Sequence, residues 1–378
     1  MLTKKEKERI RKEIGERVKR AVMLSGKSRR EVAKAVGVSH VALKKYEDGI
    51  MLPKLPVLKK LAKVADVGVE YFFRGKTTLV PEERSLRSEK KIPEKSLKKL
   101  MEQIIEFLEK YMEIEDILRL GRRIDLPTER SFVVRTETDL EEAAEKLREM
   151  WSLGLDPIED LPKLLEEKGF KVLVLPLGKV DSLLVKLRDS QDSKRKMIAI
   201  AVNKDMPGDR QWFSLAHEIG HYFLDFLENV TSAELEKMIN RFSGAFLAPR
   251  ERVIEELGTK RTHISISELL FLKHMYHLSM QGWIHRAEDL GIIKKTYARE
   301  LRRLFREKGW DKQEPGPQIP SIEKSKRFMQ LVFRAYSEDL ITRSRAEEFL
   351  GKPLEEAEKE LNENIITGRG SEIALLGG

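Results

Sequence analysis

The sequence predicts a mainly α-helical fold with a small β-sheet, of the α+β class. An N-terminal all-α domain of five short helices is followed by a mixed domain and a helical C-terminal region. Two observations carry this prediction. Residues 1–75 consist of short amphipathic segments broken by glycine, and KVLVLPL and MIAIAV are short β-rich runs in the middle of the chain. A length of 378 residues, 40% apolar and 36% charged, suits two or three globular domains.

The N-terminal segment has the helix-start and helix-end residues of a helix-turn-helix. Ser28 and Ser39 are suitable N-caps, and Gly37 supplies the left-handed residue that a tight turn between helices needs. Two short helices joined by such a turn are the skeleton whose second helix enters the major groove of DNA. The five predicted helices run over Ile10 to Leu24, Ser28 to Val36, Ser39 to Tyr46, Pro56 to Ala65 and Glu70 to Phe73.

Positive charge is concentrated in this segment. The whole chain has a net charge of +9, whereas residues 1–80 carry 21 Lys and Arg against 9 Asp and Glu. The remainder is therefore slightly acidic. Such asymmetry indicates a polyanionic partner for residues 1–80, and nucleic acid is favoured over membrane because no aromatic-rich apolar face accompanies the charge.

The stretch SRREVAKAVGVSHVALKKYEDGIMLPKLPVLKKLAKVADVGVEYFF resembles the phage-repressor (Xre/Cro) type of helix-turn-helix. The resemblance implies a double-stranded DNA operator as partner. His40 and Val41 depart from the Gln or Thr that this pattern often has, so the operator sequence does not follow. The alternative is a small helical module that binds a protein. The expected DNA-contacting residues are Arg29, Arg30, Ser39, His40, Val41, Lys44 and Lys45.

Residues 76–95 are polar, charged and carry two prolines, which predicts a linker after an N-terminal domain of residues 1–75. An apolar stripe with spacings of three and four follows, from Leu97 to Leu118. This stripe is expected either to pack on the next domain, which is the favoured interpretation, or to form the seam of a homodimer.

The next segment predicts helices over residues 140–151 and 158–168, then KVLVLPL and MIAIAV as strands of a small antiparallel sheet. A helix over residues 211–229 carries FSLAHEIGHYFL. His217 and His221 lie one turn apart on one helical face, so both imidazoles can reach one ion. Glu218 is rotated about 100° from His217 and is placed to act as general base on water. The alternative is a pair of core histidines on an amphipathic helix.

A catalytic zinc site needs a third protein ligand, and a chain without cysteine must supply it as His, Asp or Glu. The following helix offers Glu234 and Glu236 on opposite flanks of its apolar stripe, and spacing alone leaves both open. Gly220 is unfavourable in a helix and suggests that a neighbouring strand approaches closely.

RQWFSLAHEIGH followed by ELEKMINRFSGAFLAP resembles the ImmA/IrrE family of zinc metallopeptidases. The resemblance runs from about Leu97 to Arg306 and implies a zincin-like minimal metallopeptidase domain over residues 96–310, with Glu236 as third ligand. Ile239, Ser243 and Phe246 depart from the family pattern. Mn²⁺ and Fe²⁺ are also compatible with two histidines and one carboxylate.

The remaining histidines, His263, His274, His277 and His285, are expected to be surface or capping residues, and Tyr276, His277 or Arg286 to line a substrate cleft. A helical appendage over residues 321–365 is expected to end in a disordered Gly-rich tail.

Together these features predict a cytoplasmic DNA-binding regulator with a zinc-dependent endopeptidase domain. No apolar run approaches the length of a membrane span, and the N-terminus is charged where a signal peptide is apolar. The family resemblance implies a protein substrate, often a repressor, in a phage, mobile-element or stress-response circuit. The alternative is a transcription factor or antitoxin-like DNA-binding protein whose metal is structural or sensory.

Overall fold

A computed structural model describes residues 3–75, 78–82, 93–120, 129–192, 196–226, 230–322 and 326–360. The predicted class, mainly α with a small sheet, is confirmed. None of the helices in these ranges is long and apolar enough to cross a membrane. Residues 361–378, which include the end of the predicted appendage (361–365) and the tail predicted to be disordered, lie outside them.

The regular secondary structure of the N-terminal domain, within residues 4–73, is entirely helical. Capping determines where its helices begin: the Ser28 hydroxyl accepts a hydrogen bond from the Glu31 amide, and Gly37 ends a helix with a φ of +80°. Thr3 forms a capping box with Glu6, so the first helix begins six residues before the predicted start. The elements are α1 (Lys4–Leu24), α2 (Arg29–Val36), α3 (His40–Glu47), α4 (Leu55–Ala65) and a 3-10 helix (Val69–Phe73).

The main sheet has four strands, in the spatial order β1 (Leu79–Pro81), β4 (Ser182–Asp189), β5 (Lys196–Asn203) and β3 (Phe170–Leu175). The expectation of an antiparallel pair was wrong, because the two predicted strands, β3 and β5, are parallel neighbours. β4 pairs antiparallel with β5 and lies in what was expected to be a polar loop. β2 (Phe132–Val134) and β6 (Leu224–Phe226) form a separate parallel pair.

β1 lies inside the segment predicted to be a linker. Its three residues pair antiparallel with the end of β4, from Leu79 opposite Asp189 to Pro81 opposite Leu187. Residues 79–81 are therefore part of the second domain's sheet, while residues 76–77 and 83–92 of the predicted linker lie outside the described ranges.

Helices cover both faces of the sheet. Alternate residues of β4 point to opposite faces: Leu184 joins the core beneath the helix that carries the HExxH motif (His217 to His221), whereas Leu183 and Val185 pack against the helix of residues 94–117. The helices after the N-terminal domain are α5 (Glu94–Ile117), α6 (Glu137–Met150), α7 (Leu161–Glu167), α8 (Gly208–Phe223), α9 (Ser232–Leu247), α10 (Arg250–Leu257), α11 (Ile266–Tyr276), α12 (Met280–Asp289), α13 (Lys295–Glu307), α14 (Lys326–Ser337) and α15 (Arg343–Leu350).

The apolar stripe of α5 is used within the chain, as the favoured interpretation expected. Leu100, Ile104 and Leu108 pack on the sheet, and Tyr111 and Ile114 pack against α14 and α15. The stripe is therefore buried within the chain, and its residues are not available to form a dimer seam.

Residues 313–322 run back over the start of α8. A Cβ placed on Gly208 would lie 2.3 Å from the Pro320 carbonyl oxygen, so only glycine fits beneath this segment. The Ile322 amide donates to Gln211 Oε1 at 2.6 Å. The ammonium group of Lys273, which is fully buried, contacts Asp209 at 3.0 Å and Glu314 at 2.9 Å. We call residues 313–322 the return segment.

An acidic stripe on α5 holds the N-terminal domain. Glu109 accepts from Arg17 at 2.7 Å and from Arg20 at 3.2 Å, and Arg20 also contacts Glu102 at 2.5 Å. A second set of charges extends this contact to the C-terminal region: Arg74 bridges Glu106 on α5, at 2.7 Å, and Glu348 on α15, at 2.5 Å.

The Glu109 side chain is 13% exposed and those of Arg17 and Arg20 are 4% and 10% exposed. Because breaking a buried ion pair leaves a charge without compensation, Glu109→Lys should lower the free energy of unfolding by about 3 kcal/mol, measured by urea denaturation. Glu16→Lys, on the exposed face of α1, is the control and should change it by less than about 0.5 kcal/mol. Equal effects of the two variants would show that the stripe does not hold the domains together.

Candidate metal centre

The HExxH motif lies on α8, and α9 supplies a carboxylate facing it. His217 Nε2 lies 3.1 Å from His221 Nε2 and 3.2 Å from Glu236 Oε2, and His221 Nε2 lies 3.7 Å from Glu236 Oε1. The three donor atoms fall within 4.8 Å of one another, and the part of the chain that the structure describes holds no other such group of His, Asp and Glu. Two imidazoles and a carboxylate are a ligand set that suits zinc and leaves a position open.

Glu234, the other candidate left open by spacing, has a different role. Its carboxylate accepts from the Thr231 amide at 3.0 Å and from the Thr231 hydroxyl at 2.6 Å, closing the capping box at the start of α9. Burial contributes little there, and these hydrogen bonds lower the pKa of Glu234. Of the two glutamates, only Glu236 lies beside the imidazoles.

Close approach of two helices brings Glu236 to the histidines. A Cβ on Gly220 would lie 2.8 Å from Ile239 Cγ2 and 3.1 Å from Phe242 Cδ1, so the glycine makes room for α9. The neighbour expected at Gly220 was a strand, and this was wrong. Ile239, one of the bulky departures from the family pattern, is completely buried in this contact.

The two imidazoles differ in their surroundings. Burial opposes protonation of His217, but its contact with Glu236 and the negative charge of Glu218 outweigh this, so the pKa of His217 is raised. Burial lowers the pKa of His221. The His217 Nδ1 atom lies 3.0 Å from Asn240 Oδ1, a contact that orients the ring and directs Nε2 toward the other two donors. Asn240 matches the family pattern of this helix, but sequence reasoning gave it no role at the site, although it stands four residues after Glu236 on α9.

Glu218 lies on α8 between the two histidines and is 6% exposed. Its Oε1 accepts a hydrogen bond of 2.6 Å from the hydroxyl of Ser182, the first residue of β4. The Glu218 carboxylate is therefore held by a hydroxyl group of the sheet. Ser182 is a further residue that sequence reasoning missed, because β4 itself was not predicted.

The residues expected to line a cleft are mostly structural. Arg286 is 1% exposed and forms a two-pronged ion pair with Glu141, at 2.7 and 2.9 Å, so its assignment to a cleft was wrong. Tyr276 is also buried and donates to Glu256 at 2.9 Å. His277 stacks on Trp212 with ring centroids 4.0 Å apart, and burial lowers its pKa to about 4.

His277 caps the end of α11 with a left-handed φ of 54°. His263 is exposed, and its Nδ1 lies 3.1 Å from the Tyr297 hydroxyl. His285 is exposed as well, whereas His274 is partly buried.

The helix-turn-helix presents most of its predicted contact residues to solvent. Arg30, His40, Val41, Lys44 and Lys45 are exposed, and Val41 retains 62% of its accessible surface. Three of the seven side chains have local partners. The Ser39 hydroxyl accepts from the Ala42 amide at 3.0 Å, Lys44 contacts Asp48 at 2.6 Å, and Arg29 contacts Glu47, a nearly fully buried carboxylate, at 2.7 Å.

The fold and these two sites define a helix-turn-helix protein that carries an HExxH domain. Comparison with protein families agrees: residues 18–72 match the helix-turn-helix family model, and residues 165–288 match the peptidase family model described as the IrrE N-terminal-like domain. The two matches agree with the two resemblances noted in the sequence, one in each of these ranges. No curated protein matches the chain significantly.

The contact between Gly220 and Ile239 predicts that a larger residue at position 220 can be compensated by a smaller one at position 239. Gly220→Ala should push α9 away and weaken zinc binding about tenfold, because ligands must be held to within about 0.5 Å. Adding Ile239→Ala should restore the affinity to within about threefold, since it removes the obstructing methyl groups. Zinc affinity is measured by competition with a chelator. Ile239→Ala alone is the control, with lower stability but near-normal affinity. If Gly220→Ala binds zinc normally, the helix contact does not set the ligand geometry.

Proposed function

We propose that this protein is a DNA-binding regulator whose second domain is a zinc-dependent endopeptidase that hydrolyses a partner protein. The observation that carries the proposal is the convergence of His217, His221 and Glu236, with Glu218 held beside them. The match of residues 165–288 to a peptidase family supports it.

His217, His221 and Glu236 would hold the ion. The site suits an ion that acts on an external molecule, since the Glu236 side chain is 51% exposed while the imidazoles are largely buried. When bound, zinc supplies Lewis acidity, which makes water nucleophilic near neutral pH and polarises a peptide carbonyl. Asn240 keeps the His217 ring in the orientation that presents Nε2.

Glu218 would carry the proton. Its carboxylate accepts a proton from the attacking water and delivers it to the nitrogen of the leaving amine, so one group serves as base and then as acid. The low exposure of Glu218 keeps bulk water from competing for that proton.

The substrate we propose is a repressor or another regulatory protein. A peptidase domain carried on a chain bound to an operator meets proteins bound at neighbouring sites at a raised effective concentration. The alternative, a regulator whose metal is structural or sensory, predicts the same zinc and DNA binding without hydrolysis.

Glu218→Gln should abolish cleavage of the partner repressor while leaving zinc content and DNA binding unchanged, because the amide cannot accept the proton but keeps the size of the side chain. The zinc-loaded protein is incubated with purified candidate repressors from the same genome, and products are identified by mass spectrometry. Glu234→Gln is the matched control and should cleave normally. Cleavage that persists in Glu218→Gln would sink the mechanism, and its absence in the wild type would favour the structural or sensory alternative.

We also propose that α3 enters the major groove, with Lys45 and His40 toward base edges and Arg30 and Lys44 toward phosphates. The exposure of these four side chains supports this arrangement. Arg29 is expected to act mainly inside the domain, since its partner Glu47 is buried.

Two alanine variants separate these roles. Lys45→Ala should weaken binding to a DNA site selected from random sequence about tenfold, in a mobility-shift assay, without changing the melting temperature. Arg29→Ala should lower the melting temperature, because it leaves the Glu47 carboxylate buried without its partner. Lys63→Ala, an exposed lysine on α4, serves as the control for loss of charge alone. Equal DNA affinity of the Lys45 and Lys63 variants would contradict the proposed docking.

A further inference from the structure

The hydrogen bond between Ser182 and Glu218 joins the sheet to the proposed general base. Ser182 Oγ donates to Glu218 Oε1 at 2.6 Å, within the usual range for a hydroxyl donating to a carboxylate. Ser182 opens β4, where it pairs with Val202 of β5. The donor therefore stands at a fixed point of the sheet, and the acceptor lies on α8.

A buried asparagine holds the loop that leads into Ser182. Asn203, at the end of β5, is 1% exposed. Its Nδ2 donates to the carbonyl oxygens of Gly178 and Val180, each at 3.0 Å, and its Oδ1 accepts from the Leu177 amide at 3.2 Å. The backbone N–H of Asn203 donates to the backbone carbonyl oxygen of Asp181 at 2.8 Å. The backbone on the N-terminal side of Ser182 is thus clamped by one side chain.

The same loop is bonded to the first turn of α8. Arg210 donates to Asp181 Oδ2 at 3.0 and 2.8 Å, and Gln211 Nε2 donates to the Asn203 carbonyl at 3.0 Å. Gln211 is completely buried and also accepts from Ile322 of the return segment. Hydrogen bonds therefore connect the start of β4 to the start of α8. The bond from Ser182 to Glu218 adds a second connection two turns further along that helix.

We propose that Ser182 is a positioning residue for Glu218. By holding Oε1, the hydroxyl restricts rotation of the carboxylate, so that Glu218 is presented to the metal site in one orientation and not several. Ser182 acts through Glu218, and its hydroxyl forms and breaks no covalent bond. This inference rests on the proposed function for its catalytic meaning, whereas the contact itself exists independently of hydrolysis.

The kinetic test compares two substitutions of Ser182. Ser182→Ala should lower kcat for repressor cleavage about tenfold, with KM and zinc affinity changed less than twofold, because a misplaced base affects only the chemical step. Ser182→Thr keeps the hydroxyl and should restore kcat to within about threefold of the wild type. Ser190→Ala, just after the other end of β4, is the matched control. An unchanged kcat in Ser182→Ala, or no rescue by threonine, overturns the proposal.

A second measurement does not need activity. In metal-free protein, Ser182→Ala should raise the unfolding equilibrium constant about tenfold in the wild-type background, since a hydrogen bond to a charged group is lost. In a Glu218→Ala background the same substitution should have almost no effect. Additive effects would show that the two residues are not coupled and would overturn the proposal. If the wild type cleaves no partner, hydrolysis fails as a function, and this double-mutant cycle still decides whether Ser182 holds Glu218.

Discussion

The arrangement of the whole protein depends on the two-sided character of α5. Its apolar stripe packs on the sheet and on the C-terminal helices, while its acidic stripe receives three arginines from the N-terminal domain and its boundary. Neither stripe alone would join three parts of the chain. Charges buried at such a contact are costly to separate from their partners, so the joint favours one docking geometry over many loose ones.

The candidate metal centre depends on packing in a comparable way. Two imidazoles one turn apart follow from local sequence, but the carboxylate arrives from a separate helix whose distance is set by Gly220 and Ile239. A small residue on one helix matches a large one on the other, which keeps interior packing dense. The placement of the three candidate ligands therefore depends on a helix interface as much as on the HExxH motif.

Patterns confined to one helix were readable from sequence, and patterns that depend on tertiary pairing were not. The N-caps at Ser28 and Ser39 and the helix carrying His217 follow from local rules. β4 was not predicted because its charged residues interrupt the apolar run. The parallel pairing of β3 and β5 could not be predicted either, because it depends on the topology of the sheet. Glu236 could be separated from Glu234 only by resemblance, since side-chain direction at a helix start depends on capping. Arg17, Arg20 and Arg74 contact α5, but nothing in the sequence distinguishes them from the other basic residues of the N-terminal segment.

The return segment gives the peptidase-like domain a dependence on the order of synthesis. A ribosome makes the HExxH helix long before residues 313–322, yet one partner of Gln211, Ile322, and one partner of Lys273, Glu314, lie in that later stretch. Until it emerges, a fully buried ammonium group keeps a single carboxylate, Asp209, and the first turn of α8 stays uncovered. The first turn of α8 can therefore reach its final packing only after residues 313–322 have been made.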